Sequence, residues 1–245
     1  MKPTPALELY LRRESSALID VETQLRELYE FAQPLGSYSP LLQEWYLSSG
    51  SSKHEAYLYK AFDSNGPTTQ ALAYLRNISK GVTDIRGISI WNGADSDADA
   101  AGMSSRVNTF DRPDTIEFTL TLQPEVKEWE TPCEWLQRAV KIWRPKTGTF
   151  GPFWYSEKKV FKDRPGVGWM IYLPRVLTTQ QIPEARALVP VMGKDANGKD
   201  KQTGTIVVSV TDEPFSDENP EHIKIANSIE IRLVDQDLLP RYSDL

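Results

Sequence analysis

The sequence TPCEWLQRAVKIW, residues 131–143, carries the clearest helix signal in the chain. Thr131 can cap a helix, Pro132 suits its first position, and Glu134 can complete a capping box. Pro145 ends the helix, since the residue before a proline disfavours helical geometry. Between these signals, apolar side chains recur at three- and four-residue steps and form the stripe expected to be buried: Trp135, Leu136, Ala139, Val140 and Trp143.

Strand patterns lie on both sides of this helix. Downstream, the apolar run at 169–173 is typical of a buried strand, and β-branched residues at 205–211 predict another. Upstream, alternation of apolar and polar residues predicts strands over 85–91 and 115–122. A further strand is expected over 102–110.

Three more helices are expected elsewhere in the chain. The first begins near Ser15 or Ser16 and ends before Pro34, where its apolar periodicity stops. The second spans residues 68–80, and Pro220 opens the last.

These elements define the expected fold class and domain organisation. A chain of 245 residues with 40% hydrophobic residues can bury a sizeable core without disulfides. We predict an α+β, or mixed α/β, fold in which small sheets pack with helices. Helices precede strands in both halves, which favours two subdomains of similar order, residues 1–125 and 126–245, forming one compact unit.

Cysteine content and hydropathy indicate the cellular location of the protein. Cys133 is the single cysteine, so an internal disulfide and a cysteine-based zinc site are excluded, which fits a reducing cytosol. No apolar run approaches the roughly 20 residues that span a bilayer, and residues 1–5 lack an apolar export signal. We therefore expect a cytoplasmic protein with no membrane partner.

The charge is unevenly distributed along the chain. The net charge is −6, which argues against a nucleic-acid-binding protein. Residues 92–130 hold 3 basic and 9 acidic side chains, residues 131–204 hold 13 and 6, and residues 205–245 hold 3 and 9. Two acidic stretches therefore flank a basic one, either as ordinary solvated surface or as surface for a charged partner.

No motif of a catalytic, metal or nucleotide site is present. The run Asp95, Asp97 and Asp99 resembles the start of an EF-hand, but alanine and arginine occupy its sixth and twelfth positions. Of the two histidines, His54 and His222, neither has metal-ligand spacing, and His222 is expected at the surface or cap of the last helix. No phosphate loop, dinucleotide fingerprint or nucleophile elbow occurs. We therefore expect no cofactor, no metal and no catalytic residue.

The tryptophans divide by their surroundings. Those in predicted buried patterns are Trp135, Trp143 and Trp169. Those in more polar stretches, where partial exposure is expected, are Trp45, Trp129 and Trp154. An exposed tryptophan is a typical anchor of a protein interface.

Four stretches occur in order along nearly the whole chain: Trp45-Tyr46, Ile90-Trp91-Asn92-Gly93, Gly168-Trp169-Met170-Ile171-Tyr172-Leu173, and Thr211-Asp212-Glu213-Pro214-Phe215 continuing to Asn219-Pro220-Glu221-His222. Together they resemble the immunity protein 52 family. The resemblance implies a cognate inhibitor of a polymorphic toxin, in some cases of a type VI secretion effector with a restriction-endonuclease-like nuclease domain. It implies no active site in this chain.

An acidic surface suits such an inhibitor. A nuclease binds a polyanion, so its cleft is expected to carry Lys and Arg, and opposite charge speeds association. We expect this protein to bind its cognate toxin directly, without chemistry and without binding nucleic acid itself. The expected partner-binding residues are Asp95, Asp97, Asp99, Asp111, Asp114, Trp129, Asp212, Glu213, Asp217 and Glu218.

Two other functions are compatible with the same residues. A hydrolase or glycan-binding protein would use paired carboxylates in an aromatic-walled pocket. An adaptor or chaperone would load an effector without inhibiting it. Toxicity rescue separates an inhibitor from an adaptor.

Overall fold

The computed structural model describes residues 4–13, 17–48, 53–121, 126–195 and 197–245. Contacts divide the chain into two compact units, Arg12–Gln123 and Met1–Leu11 with Pro124–Leu245. Each unit has its own antiparallel strands and its own buried aromatic cluster.

The described residues form eleven strands and six α-helices. The strands are β1 (Pro5–Leu11), β2 (Tyr46–Leu47), β3 (Phe62–Asp63), β4 (Gly66–Pro67), β5 (Ile85–Trp91), β6 (Ala101–Asn108), β7 (Asp114–Leu120), β8 (Thr147–Pro152), β9 (Met170–Leu173), β10 (Ala187–Lys194) and β11 (Asp200–Val208). The helices are α1 (Val21–Ala32), α2 (Leu35–Tyr38), α3 (Lys53–Ala56), α4 (Thr69–Ile78), α5 (Glu130–Trp143) and α6 (Pro220–Asp235).

In the unit Arg12–Gln123, four strands pair in the order β7-β6-β5-β2, and β3 with β4 forms a small hairpin. Alternate residues face the core, as where Met103 of β6 pairs with Phe118 of β7. Phe118 contacts Phe31 and Trp45 edge-on, with ring centroids 5.4 and 6.4 Å away. Helix α1 packs against β6 and α4, which closes this core.

In the other unit, five strands pair in the order β10-β11-β9-β8-β1. Helix α5 packs on β8 with the predicted stripe buried. The ring of Phe150 in β8 lies 6.2 Å from that of Trp135 and 6.1 Å from that of Trp169. Helix α6 begins with Asn219 as its cap and Pro220 in its first turn, as the sequence predicts.

The fold class is mixed α/β, which confirms the sequence-based prediction. Helices α4, α5 and α6 lie where they were expected, and β5, β6, β7, β9 and β11 overlap the predicted strands. The predicted start of the first helix, Ser15 or Ser16, lies outside the described residues, and α1 begins at Val21. The end of the strand predicted over 115–122 also lies outside them.

Strands β1, β8 and β10 and the two-residue strands β2, β3 and β4 were not predicted. Because β1 pairs with β8, with Leu7 opposite Phe150, residues 5–11 belong with the C-terminal strands and not with the expected subdomain 1–125. Residue 125, the predicted boundary, lies outside the described residues.

Candidate docking surface

The loop over residues 92–100 joins β5 to β6 and carries three of the predicted acidic residues. Asn92 is buried at its base. Its Nδ2 donates to the carbonyl oxygens of Leu41 (3.1 Å) and Asp99 (2.9 Å), and its Oδ1 accepts from the N–H of Ala101 (2.9 Å). One buried side chain therefore fixes the loop where it leaves β5 and where it enters β6.

Main-chain hydrogen bonds hold the loop, and two of its three aspartates are exposed. Asp97–Asp99 form a single turn of 3-10 helix. The Oγ1 of Thr121 donates to the carbonyl oxygen of Ala100 at 2.8 Å and also to that of Asp97. The side chains of Asp95 and Asp97 are exposed, and Asp99 is half-buried. The turn thus presents negative charge from a fixed backbone.

Gly93 brings this loop against aromatic side chains. Its φ of +73° lies in the left-handed region, which favours glycine. A Cβ atom there would lie 2.8 Å from the ring of Tyr46 and 3.3 Å from that of Tyr57. The hydroxyl of Tyr57 donates to the Gly93 carbonyl oxygen at 2.6 Å. A residue larger than glycine would therefore move the two tyrosines.

Three aromatic side chains lie beside the loop. The ring of Tyr57 is 5.3 Å from that of Tyr46 in β2 and 5.4 Å from that of Trp91 at the end of β5. Tyr57 is 37% exposed, and its hydroxyl lies 3.4 Å from Oδ1 of Asp95. We call Tyr46, Tyr57, Trp91, Asp95 and Asp97 the acidic–aromatic face.

Glu44 lies next to this face and is paired with a lysine. Its Oε1 lies 2.6 Å from Nζ of Lys60, and its Oε2 accepts from the hydroxyl of Tyr46 at 2.7 Å. The hydrogen bond from Lys60, and after it the one from Tyr46, lowers the pKa of Glu44. The bond to Glu44, together with burial, raises the pKa of Tyr46 to about 12. At neutral pH Glu44 is therefore ionised and Tyr46 keeps its proton.

The unit that carries this face also carries most of the net charge. The segment Arg12–Gln123 holds 10 Lys and Arg against 15 Asp and Glu, a net charge of −5, which leaves −1 for the rest of the chain. Negative potential speeds the encounter with a basic protein surface, and exposed aromatic rings supply binding energy after contact. The arrangement suits a basic macromolecular partner.

Asp111 and Asp114 lie apart from the acidic loop. They follow β6 whereas the loop precedes it, and an eight-residue strand is about 25 Å long. Asp111 is exposed, and its Oδ1 lies 2.7 Å from Nη1 of Arg12. Asp114 is buried, accepting from Nε of Arg13 at 3.1 Å and from the N–H of Asn108 at 2.8 Å. Burial raises the pKa of Asp114 although these donors oppose the shift. Asp114 therefore stabilises the hairpin and does not reach a partner.

The second predicted acidic stretch belongs to the other unit and precedes α6. Its exposed members are Asp212, Glu213 and Glu218. Asp217 is buried, and its carbonyl oxygen accepts from Nζ of Lys158 at 2.5 Å. Asp217 thus anchors a neighbouring loop through its main chain.

His222 was expected at the surface or at the cap of the last helix; it is buried, so the surface alternative was wrong. The N–H of Ser216 donates to its Nδ1 at 3.0 Å, which places the ring proton on Nε2. That nitrogen lies 3.0 Å from Oε1 of Glu213. The imidazole therefore ties the start of α6 to the preceding loop.

One of the three tryptophans expected to be partly exposed is buried. Trp45 lies in the core, and its Nε1 donates to the carbonyl oxygen of Leu42 at 3.0 Å. Trp129 is half-buried at the start of α5, and Trp154 is 41% exposed.

The aromatic half of the acidic–aromatic face was not predicted. Its members come from three separate stretches of sequence, and no periodicity links them. The available signal was Trp91-Asn92-Gly93, because an Asn-Gly pair at the end of a strand marks a tight turn at which side chains meet.

Among the described residues, no group of three or more His, Cys, Asp or Glu could hold a metal ion. Within the same parts of the chain, no helix combines the length and apolar character needed to cross a bilayer.

A half-open cavity of about 60 Å³ lies in the unit that contains β1 and β8. Its lining includes Glu8, Tyr10, Lys159 and Tyr242. Glu8 is the single carboxylate of that lining, whereas the hydrolase hypothesis requires two that face each other. This cavity therefore gives that hypothesis no support.

No protein-family model matches the sequence, and no curated protein matches it. The likeness to the immunity protein 52 family therefore rests on the four stretches of sequence alone. Among solved structures, the Pseudomonas aeruginosa T6SS protein PA0821 is similar, with a TM-score of 0.50 and 11% sequence identity. The match covers 98% of this chain and 74% of that chain. At this identity, the similarity shows a shared fold.

Proposed function

We propose that this protein is an immunity protein that binds a cognate type VI secretion nuclease toxin in the cytoplasm and neutralises it by occluding its active site. The acidic–aromatic face is the observation that carries the proposal, because it combines exposed carboxylates on a fixed loop with aromatic rings that lie beside the loop. The T6SS association of the structurally similar Pseudomonas protein supports the context. The likeness of the four stretches to immunity protein 52 supports the inhibitory role.

The proposed mechanism involves no covalent step and no cofactor. Asp95 and Asp97 attract the Lys and Arg side chains that a nuclease uses to hold phosphates. Tyr57 and Trp91 then pack against the rim of the cleft and exclude water from it. An interface on the order of 800 Å² per partner is enough for stable occlusion.

Co-expression with a type VI nuclease domain tests the proposal. The wild-type chain is expected to restore growth and to co-purify with the toxin domain. The double variant Asp95→Lys/Asp97→Lys is expected to lose protection, because it places positive charge against the basic cleft. The matched control is Glu134→Lys/Asp235→Lys, which makes the same change of net charge at exposed positions of the other unit that are not among the expected partner-binding residues.

Each alternative outcome has a distinct meaning. Co-purification without growth rescue would indicate an adaptor. Equal loss of protection in both double variants would show that overall charge matters and that the acidic–aromatic face does not.

A further inference from the structure

A second exposed aromatic pair lies in the unit that contains β8. Phe153 and Trp154 begin a 3-10 helix directly after this strand and are 44% and 41% exposed. Their rings meet edge-on, with centroids 5.3 Å apart and an interplanar angle of 88°. Adjacent exposed aromatic side chains of this size are typical of protein interfaces, where Trp is among the most frequent anchors.

A buried carboxylate holds the segment that follows this pair. Glu230 of α6 is 1% exposed. It accepts from the hydroxyl of Tyr155 at 2.7 Å and from the N–H groups of Val160 and Val167 at 2.8 and 2.9 Å. A buried carboxylate is tolerated when donors surround it, and here each donor belongs to the segment over residues 155–167. The aromatic pair therefore stands on a preformed support, which lowers the entropy lost on binding.

Two lysines next to the pair, Lys158 and Lys162, have their ammonium groups on main-chain carbonyl oxygens. Nζ of Lys158 donates to the carbonyl oxygen of Asp217 at 2.5 Å, and Nζ of Lys162 to that of Glu157 at 2.7 Å. Within the described residues, neither ammonium group lies within ion-pair distance of a carboxylate. The Glu157 side chain is exposed, and the nearby Asp163 is paired with Arg241 at 2.9 Å.

The half-open cavity adjoins this pair, since Phe153 and Lys159 both line it. Nζ of Lys159 lies 4.8 Å from the ring centroid of Tyr242 and donates to the Tyr242 hydroxyl at 3.0 Å and to the carbonyl oxygen of Arg164 at 2.7 Å. The cavity has room for a group about the size of two water molecules. One small side chain of a bound segment fits there.

From this geometry we propose that Phe153, Trp154, Lys158 and Lys162 form a second docking face, for an acidic polypeptide segment that bears an apolar side chain. The apolar side chain packs on the aromatic pair, and the carboxylates of the segment meet the two ammonium groups. Its charge is opposite to that of the acidic–aromatic face, so the two faces select different surfaces. Nucleic acid fits less well, because rings at 88° do not form parallel stacking platforms and the chain has a net charge of −6.

Fluorescence anisotropy with synthetic probes tests this face on the full chain. The probe is a fluorescein-labelled dodecapeptide of glutamates with two leucines. Comparison probes replace its glutamates with lysines, replace its leucines with serines, or are an oligothymidylate of equal length. The acidic peptide with leucines is expected to bind most tightly, and Phe153→Ser/Trp154→Ser to weaken its binding by at least about tenfold. Lys162→Glu is expected to weaken it about threefold or more and to reduce its salt dependence.

Matched controls separate this face from general effects. Val176→Ser and Lys141→Glu change exposed residues of the same unit and are expected to alter binding less than twofold. Asp95→Lys/Asp97→Lys, in the acidic–aromatic face, is expected to bind the acidic peptide still. No binding of the acidic peptide, or binding unaffected by the Phe153 and Trp154 changes, would overturn the proposal. Equal binding of the lysine peptide would contradict the claim that the face selects acidic segments. Binding of the oligothymidylate alone would assign the face to nucleic acid.

Discussion

At the residue scale, the acidic loop depends on Asn92. Its amide satisfies two carbonyl oxygens and one N–H at the base of the loop, as only Asn or Gln can with one side chain. Gly93 then supplies the left-handed turn that places Tyr57 over the loop. The sequence Trp91-Asn92-Gly93 therefore encodes the position of the carboxylates that follow it.

Replacing Asn92 is expected to loosen the loop. Asn92→Ala leaves three main-chain groups without their partner, and we expect a loss of about 2–3 kcal/mol in the free energy of unfolding. Urea denaturation measures this change. Asn77→Ala, at an exposed position of α4, is the control and is expected to change stability by less than about 0.5 kcal/mol. Equal effects of the two substitutions would contradict the assigned role.

The single thiol gives a test of burial. Cys133 lies in α5, and burial, with Glu134 and Glu130 nearby, raises its pKa to about 12. At pH 8 about one thiol in ten thousand is then ionised, and the thiolate is the reactive form. We expect iodoacetamide to modify Cys133 rapidly in urea and at least about a hundredfold more slowly in the folded protein. Mass spectrometry measures the rate of modification. Equal rates in urea and in the folded protein would show that the thiol is accessible.

At the scale of elements, the sequence predicts what local patterns encode. Helices α5 and α6 carry apolar stripes, α6 has its own cap, and β5 and β7 alternate cleanly, so all four lie where expected. The cap predicted at Thr131 was wrong, because α5 begins at Glu130 and has no side-chain cap. Strand β8, TGTFGP, reads as a loop because of its glycines and proline. In the fold Gly151 is required there, since a Cβ atom would lie 2.9 Å from the main-chain nitrogen of Trp169. Long-range packing decides this strand, and one sequence does not show such packing.

The start of α1 provides a test that depends on pH. Asp20 caps the helix. The pKa of its carboxyl group lies below the usual 3.8, chiefly because the carboxylate accepts hydrogen bonds from Thr23. A lowered pKa stabilises the fold at pH values above the unfolded pKa, and this contribution is lost as the pH falls through the folded pKa. Asp20→Ala is therefore expected to reduce the free energy of unfolding by about 1 kcal/mol at pH 7 and by less at pH 3. A difference that stays constant with pH would contradict a charge-dependent cap.

Helix α6 is joined to the segment after β8 by Glu230. Glu230→Gln keeps the shape but replaces an acceptor oxygen with a donor group that faces an N–H, so we expect a loss of about 2 kcal/mol or more in the free energy of unfolding. Glu221→Gln, exposed on the same helix, is the control and is expected to change stability by less than about 0.5 kcal/mol. Denaturant titrations of both variants measure the difference, and similar losses would refute the role of Glu230.

At the scale of the whole molecule, charge was predictable from sequence and the composition of the surface was not. The acidic character of residues 95–99 is visible in the chain, and the fold leaves Asp95 and Asp97 exposed. Asp114 and Asp217 have the same residue type but are buried, because they fix a hairpin and a loop. Residue type gives the charge of a stretch, and only tertiary contacts decide which carboxylates reach a partner.

The proposed docking of the acidic–aromatic face on a nuclease toxin is tested most directly by association rates. Stopped-flow mixing of the purified chain with the toxin's nuclease domain, at increasing salt, gives the rate constant for each variant. For the wild type and for the control Glu134→Lys/Asp235→Lys, we predict fast association that slows steeply as salt rises. For Asp95→Lys/Asp97→Lys, we predict association at least about tenfold slower at low salt, with little salt dependence. Wild-type rates and wild-type salt dependence in the Asp95→Lys/Asp97→Lys variant would contradict the account.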